Sequence, residues 1–375
     1  MTSILPGGTL GVLGGGQLGR MLSVEARRMG YRVCVLDPAQ HCPAAQVADR
    51  HIHASFDDLH AAQELAAEVD VITVETELVP FTVLAYLEAL KPVRPSSNVL
   101  RLMQDRLVQK TFLAEREFPQ TPYAAVADRR SLAEAVQLVG VPAILKSRRA
   151  GYDGKGQGKV ERLDDLAIAW RHIGEAPAVL EAFVPFVMEV SIVLARGIDG
   201  QVCVYPAAEN HHRQHILHTT RVPAQLSPEV QRRAEALAVS VAQALEYCGV
   251  MAVEFFLLQD ETLLINEIAP RTHNSGHYTF GACVTSQFEQ HLRAVCGLPL
   301  GDPSLLHPVV MVNLLGKHWR AGPPQWTAIL AHPQARLYLY GKEPVSEGRK
   351  MGHVLLFDND TNRALQLAEE ILIHL

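Results

Sequence analysis

The stretch KSRRAGYDGKGQGK, Lys146 to Lys159, sets four glycines among five cations. It follows PAILK (142–146), whose apolar run predicts a strand ending on Lys146. Ordering a glycine-rich loop costs backbone entropy, so the loop needs a partner that offsets the cost. A phosphate is such a partner: when the loop closes, its N–H groups converge on phosphate oxygens, and a strand-borne lysine adds a fixed cation. No GKS or GKT follows, so this is not a Walker A loop. The alternative is a surface hairpin tip with solvated lysines.

Downstream, MAVEFFLL (251–258) and TLLINEI (262–268) read as two strands pairing around the turn QDET. They carry Glu254 and Glu267, each flanked by apolar residues, with Asn266 beside the second. Two carboxylates facing one another in a sheet repel unless a cation lies between them. Mg²⁺ carrying nucleotide phosphates is the economical solution, because it takes one or two carboxylates plus phosphate oxygens. The alternative is a pair of edge-of-core salt bridges. Just beyond the strand, Arg271, His273 and Asn274 offer a guanidinium, an imidazole and an amide to a small planar anion.

A second glycine loop lies near the N-terminus. In GVLGGGQLG, Gly14, Gly16 and Gly19 fit G-x-G-x-x-G between a predicted strand and helix, and Asp37 ends the next strand. Dinucleotide binding, another phosphate ligand and a bare structural turn all remain open, since a helix N-terminus accepts any anion. The histidines of ENHHRQHILHT (His211, His212, His215, His218) read as a loop leading into a strand. Zinc is conceivable there, but the spacing does not converge them as HExxH does, and one histidine beside a nucleotide or substrate fits better.

The first hundred residues alternate TLGVL, YRVCVL and DVITV with amphipathic helical segments, which predicts a parallel sheet with helices on both faces. KPVRPSS (91–97) marks a boundary. A small α+β unit follows to Val184, then long β-rich runs, and a last stretch of strands with a closing helix. The chain has 375 residues and a net charge of −6, a balance that argues against a nucleic-acid binder. No apolar run reaches a membrane span and no secretory leader is visible. The six cysteines form no CxxC and read as thiols of a cytoplasmic protein.

In this order, these residues resemble the ATP-grasp superfamily over nearly the whole chain. Within it, GGGQLGRM (14–21), AGYDGKGQ (150–157), AENHH (208–212), NEIAPRTHNSGHYT (266–279) and RKMGHV (349–354) are similar to the 5-(carboxyamino)imidazole ribonucleotide synthetases. Those are ligases that join bicarbonate to aminoimidazole ribonucleotide with ATP in purine biosynthesis. The resemblance implies an ATP-grasp fold of α/β and α+β character. It comprises an N-terminal doubly wound parallel-sheet domain (1–104), a small α+β lid (105–184), a core subdomain (185–300) and a β-rich C-terminal domain (301–375). It also implies a homodimer.

Position by position, the resemblance assigns ATP to Arg106, Lys146, Gly151, Tyr152, Asp153, Gly154, Lys155, Gly156, Gln157, Glu181, Ala182, Phe183, Val184, Glu189, His212, Asn266 and Glu267. Mg²⁺ falls to Glu254 and Glu267. Arg271, His273, Asn274 and Lys350 are implied as catalytic, with the first three at the bicarbonate and carboxyphosphate site. Gly16, Gln17, Leu18, Glu75, Tyr152, Asp153, Arg349 and Lys350 are implied for the ribonucleotide. The first glycine loop would then hold a substrate monophosphate, with no nicotinamide involved. The rivals are a glycinamide ribonucleotide transformylase or a biotin carboxylase of the same fold, a nicotinamide oxidoreductase, and a nucleotide sensor that does not hydrolyse ATP.

Overall fold

The computed structural model describes residues 3–149 and 156–375. The chain opens with β1 (Thr9–Leu13), α1 (Gln17–Arg28), β2 (Arg32–Asp37), β3 (Arg50–His53), α2 (Leu59–Glu68), β4 (Val71–Val74), α3 (Phe81–Glu88) and α4 (Ser97–Met103). The four strands pair in parallel in the order β3-β2-β1-β4. β1, β2 and β4 are buried on both faces, as parallel strands are, and the edge strand β3 is largely exposed. Leu10, Val12, Val33 and Val35 pack with α1, and Leu13, Leu36, Ile72 and Val74 pack with α2 and α3.

After α5 (Arg106–Ala114) comes a four-stranded antiparallel unit. It contains β5 (Tyr123–Val126), α6 (Arg129–Val139), β6 (Ala143–Ser147), β7 (Gln157–Val160), α7 (Leu166–His172) and β8 (Ala178–Ala182), with strand order β5-β8-β6-β7. Its own small core joins Leu132 and Val136 of α6 and Trp170 of α7 to Leu145, Val160 and Leu180 of the strands.

The core follows as β9 (Met188–Arg196), β10 (Val202–Val204), β11 (Ala208–Arg213), β12 (Ile216–Val222), α8 (Pro228–Ala244), β13 (Gly249–Leu257), β14 (Leu263–Ala269), the short turn α9 (Thr279–Ala282) and α10 (Gln287–Cys296). The chain ends with β15 (Val309–Leu315), α11 (Thr327–Leu330), β16 (Ala335–Leu339), β17 (Lys350–Phe357) and α12 (Thr361–Ile373). The strands after Gly301 build no sheet of their own. They extend one nine-stranded sheet, β14-β13-β9-β11-β12-β15-β17-β16, with β10 paired to β9.

Helix α8 decides which face of that sheet is the core. Ser227 caps it by accepting from the Val230 N–H, and Pro228 takes the first turn. Its buried residues Val230, Ala234, Ala238, Val241 and Ala242 recur at helical spacing. They pack on Val190, Ile192 and Leu194 of β9 and on Met251, Val253 and Phe255 of β13. Truncating one such core aromatic to alanine typically costs about 3–5 kcal/mol. Because side chains alternate along a strand, this packing turns Glu189, Ser191 and Glu254 onto the opposite face.

One strand assignment corrects the sequence reading. AENHHR is a strand, not a loop, and it forms a hairpin with ILHTTRV. The two residues between them, Gln214 and His215, take φ of 51° and 64°, the left-handed backbone that a two-residue hairpin loop demands. In RKMGHV, Lys350 begins β17, one of the strands expected in the last stretch, and it pairs with β15.

Candidate active site

The lysine ahead of the glycine loop is held by a buried carboxylate. Lys146 on β6 and Glu181 on β8 lie on adjacent antiparallel strands, and Lys146 Nζ is 2.9 Å from Glu181 Oε2. Lys110 of α5 approaches the same oxygen at 3.5 Å, and all three side chains are buried. Burial alone would raise the Glu181 carboxyl. Lys146, then Lys110 and Arg106, reverse that and hold it down at about 2. Burial lowers Lys110 to about 8 despite Glu181. The oxygen Glu181 Oε1 is buried without a hydrogen-bond partner. Glu181 Oε2 thus faces the two lysines, and Oε1 is left as an unused acceptor.

The base of the loop is pinned. The Ser147 N–H donates to Gly156 O at 2.8 Å, and Arg148 grips Asp105 with two bonds of 2.9 and 2.6 Å. Asp105 also caps α5 by accepting from the Leu107 and Val108 N–H groups. Gly151, Tyr152, Asp153, Gly154 and Lys155 lie outside the described residues. Gly156 and Gln157 are inside, at the start of β7.

The two acids are brought face to face by a bulge. Phe255 pairs with Ile265, so regular register would set Asn266 against Glu254. Instead Glu254 pairs with Glu267, leaving Asn266 as the extra residue. Burial, and then the charge of Glu267, push Glu254 up to about 7. Arg106 reaches Glu267 at 3.7 Å, and Asn266 Oδ1 is a buried oxygen with no partner. Two carboxylates and an orphaned amide oxygen make a hard-oxygen donor set that suits Mg²⁺.

Glu189 and His212 flank this pair, with His212 Nδ1 2.8 Å from Glu189 Oε2. Burial opposes charge on His212, but the Glu189 bond and charge prevail and raise its pKa. His218 instead meets Glu369 of α12 at 3.0 Å. Among the described residues no three histidines, cysteines or acids converge as a metal cage.

Past β14, His273 Nε2 lies 3.3 Å from Glu254 Oε1. Gln287, at the start of α10, clamps the His273 backbone from both sides, accepting from its N–H at 2.9 Å and donating to its carbonyl at 2.7 Å. Burial, with Arg271, Lys350 and His212 nearby, lowers His273 well below the usual imidazole range. Arg271 Nε donates to Glu77 Oε2 at 2.9 Å, which ties the core to the first domain. Asn274 is placed differently from expectation. Its amide exchanges two hydrogen bonds with Asn313 of β15, at 3.1 and 2.9 Å, and is buried there rather than turned to an anion.

The first glycine loop is filled by the protein's own acids. The Gly15 N–H donates to Asp37 at 2.6 Å, and the Gly16 and Gly19 N–H groups donate to Glu75 at 2.8 and 2.9 Å. Asp37 also accepts from the Ala39 N–H, so it is spent on backbone and is not offered to a ribose. Gly14 has φ of 105°, and a Cβ there would lie 2.4 Å from Glu75 Cγ, so glycine is required. Burial raises the Glu75 carboxyl, against the pull of the two amides. The Leu18 side chain belongs to the core. Gln17 Oε1 accepts from Lys342 Nζ. Arg349 is tied to Pro344 O at 2.7 Å, in the segment between β16 and β17.

Lys110, Glu77 and Lys342 were not reached from sequence. Two left a signal: Lys110 stands four residues after Arg106 on one helix face, and Glu77 alternates with Glu75 in VETEL. Lys342 is brought in only by the fold.

Residues 8–104 match the ribonucleotide synthetase preATP-grasp domain, 111–288 the ATP-grasp domain, and 309–367 the phosphoribosylaminoimidazole carboxylase C-terminal domain. The chain is 47% identical over 355 residues to the N5-carboxyaminoimidazole ribonucleotide synthase of Brucella melitensis, covering 94% of this chain and 97% of the relative. It is similar to the crystal structure of an ADP complex of N5-carboxyaminoimidazole ribonucleotide synthetase, with a TM-score of 0.96 at 44% identity over 100% of this chain and 98% of that one. It is also similar to the Aspergillus clavatus N5-carboxyaminoimidazole synthase in complex with ADP and 5-aminoimidazole ribonucleotide. The TM-score there is 0.90 at 32% identity, over 98% of this chain and 99% of the other.

Proposed function

Because the chain belongs to the N5-carboxyaminoimidazole ribonucleotide synthase family, we propose how the residues gathered on one sheet face divide the work of its reaction. The chain is an ATP-dependent carbon–nitrogen ligase of purine biosynthesis, and it carboxylates 5-aminoimidazole ribonucleotide. The observation that carries the division of labour is the meeting of the Glu254–Glu267 pair with His273 on one side and Arg106 on the other.

Bicarbonate is the carboxyl source in this proposal. It is a poor electrophile until one of its oxygens takes the γ-phosphoryl group of ATP. That oxygen attacks phosphorus, the bond to the bridging oxygen breaks with its electron pair going to ADP, and carboxyphosphate results. The exocyclic amine of the ribonucleotide then attacks the carboxyl carbon, phosphate leaves, and the amine loses a proton.

Lys146, held by Glu181, and Arg106 bind the nucleotide phosphates, and Gly151 to Gln157 are assigned to the same nucleotide. The backbone from Glu181 to Val184 reads the base. Glu189 and His212 hold the ribose side. Glu254, Glu267 and Asn266 hold Mg²⁺, which when bound neutralises phosphate charge. Arg271 and His273 orient bicarbonate, with Lys350 beside them. Asn274 acts indirectly, by fixing the turn against Asn313. At the ribonucleotide, Lys342, Gln17 and Arg349 meet the phosphate, and Glu75 and Lys350 lie at its inner end. Tyr152 and Asp153 are assigned to both the nucleotide and the ribonucleotide. Water must be kept from carboxyphosphate, which it hydrolyses.

The units 1–104, 105–184, 185–300 and 301–375, a homodimeric assembly and a cytoplasmic location complete the proposal. No helix among the described residues is long and apolar enough to cross a membrane. The test is ADP release by the purified protein with and without the ribonucleotide and with bicarbonate depleted. Release that ignores both omissions would overturn the assignment of bicarbonate.

A further inference from the structure

Behind His273 runs a line of buried hydrogen bonds that the reaction outline does not use. Thr220 Oγ1 donates to Asn210 Oδ1 at 2.9 Å, and Asn210 Nδ2 donates to Ser191 Oγ at 2.9 Å. Ser191 Oγ donates to Ser275 Oγ at 2.8 Å, and Ser275 Oγ lies 2.8 Å from His273 Nδ1. The ring's other nitrogen, Nε2, faces Glu254. The four supporting side chains are buried, and they come from β12, β11, β9 and the turn after β14.

The direction of this line is forced from one end. The Ser275 N–H points at His273 Nδ1 from 3.3 Å, and an N–H can only donate. Nδ1 is therefore an acceptor, and the Ser275 hydroxyl must also donate to it. The Ser275 oxygen is then free to accept from Ser191, and Ser191 to accept from the Asn210 NH₂ group. That fixes the Asn210 amide with its oxygen toward Thr220. Asn210, Ser191 and Ser275 are each donor and acceptor in one sense only.

We propose that Thr220, Asn210, Ser191 and Ser275 are positioning residues that lock the His273 proton on Nε2, so that the ring presents a hydrogen-bond donor to Glu254 and to an oxyanion beside it. With the proton on Nδ1, a lone pair would face those oxygens and repel them. The inference rests on the proposed role of His273 at bicarbonate only for its kinetic consequence, because the lock itself is a statement about the ring.

The experiment uses the full chain labelled with ¹⁵N-histidine, reading the two ring nitrogens of His273 by long-range ¹H–¹⁵N correlation. The signals are assigned by their loss in His273→Gln. The wild type should show Nε2 protonated and Nδ1 bare. Asn210→Asp replaces the NH₂ donor by an acceptor, so Ser191 turns its hydroxyl toward it and Ser275 turns its own toward Ser191; only the long Ser275 N–H contact then opposes a proton on Nδ1, and the proton divides between the two nitrogens. Ser191→Ala interrupts the line without adding a charge and should weaken the preference if the aspartate variant does not fold. Turnover should fall on the order of ten- to a hundredfold in both, the scale for losing an outer hydrogen-bond partner, with the KM for ATP unchanged. Wild-type-like ring signals in the folded variants, or a wild-type proton on Nδ1, would overturn the lock. Altered ring signals with unaltered turnover would leave the lock standing and overturn the role of His273 in the reaction.

Discussion

Glu254 stands directly opposite Glu267 across β13 and β14 because Asn266 is an extra residue in β14 at that point. In regular register Asn266 would be the partner of Glu254, and the pair facing the site would be an acid and an amide.

The raised Glu254 carboxyl gives this pair a pH signature. Burial and the Glu267 charge lift it to about 7, so in the cation-free protein it holds a proton below that pH. A divalent cation must displace that proton. The Mg²⁺ requirement for ADP formation should therefore be greater at pH 6 than at pH 8, by up to about tenfold per pH unit below 7. The sign for stability is opposite. Between the ordinary carboxylate range and about 7 the folded chain binds more protons than the unfolded one, so the cation-free protein loses stability as pH rises through that window. Glu254→Gln should flatten both dependences. Magnesium titrations that superimpose at the two pH values would remove Glu254 from the metal site.

Glu181 is the shared counter-charge of Lys146 and Lys110. Glu181→Gln leaves two buried ammonium groups without it, a loss on the scale of about 3–5 kcal/mol for a broken buried pair. Thermal unfolding should drop accordingly, and the KM for ATP should rise. Lys146→Ala should lower turnover roughly a hundred- to a thousandfold, as when one electrostatic donor is lost. A Glu181→Gln protein that melts and turns over normally would show that the lysines do not depend on it.

Arg271 is aimed by Glu77 across the boundary between the first domain and the core. Glu77→Gln should raise the KM for bicarbonate about tenfold, equivalent to ~1.4 kcal/mol, and leave the KM for ATP unchanged. Equal increases in both would place the effect on domain packing instead.

Lys342 lies against Gln17 at the first glycine loop. Lys342→Ala should raise the KM for the ribonucleotide and reduce its sensitivity to added salt. An unchanged salt dependence would separate this lysine from the phosphate.

The parallel sheet, the strand that carries Lys146 and the paired strands that carry Glu254 and Glu267 were legible in the sequence because each rests on local periodicity or spacing. The β11–β12 hairpin was not, since its run of histidines gives little apolar alternation and its turn lacks the usual glycine. Reading that segment as a loop hid Asn210 and His212 as neighbours on one strand face. Asn274 and Leu18 carry family motifs, yet their side chains are fixed by Asn313 and by the core. A motif names a position along the chain, whereas the direction of a side chain is set by packing. Lys342 and Gln17 are brought together by tertiary structure across most of the chain, and no local pattern encodes that.

The most direct measurement is the ratio of carbon fixed to ADP formed when the protein turns over labelled bicarbonate, ATP and 5-aminoimidazole ribonucleotide. The account predicts one carbon fixed per ADP, with both falling together in Glu267→Gln. ADP formation at the same rate without fixed carbon, or fixation that needs no ATP, would contradict it.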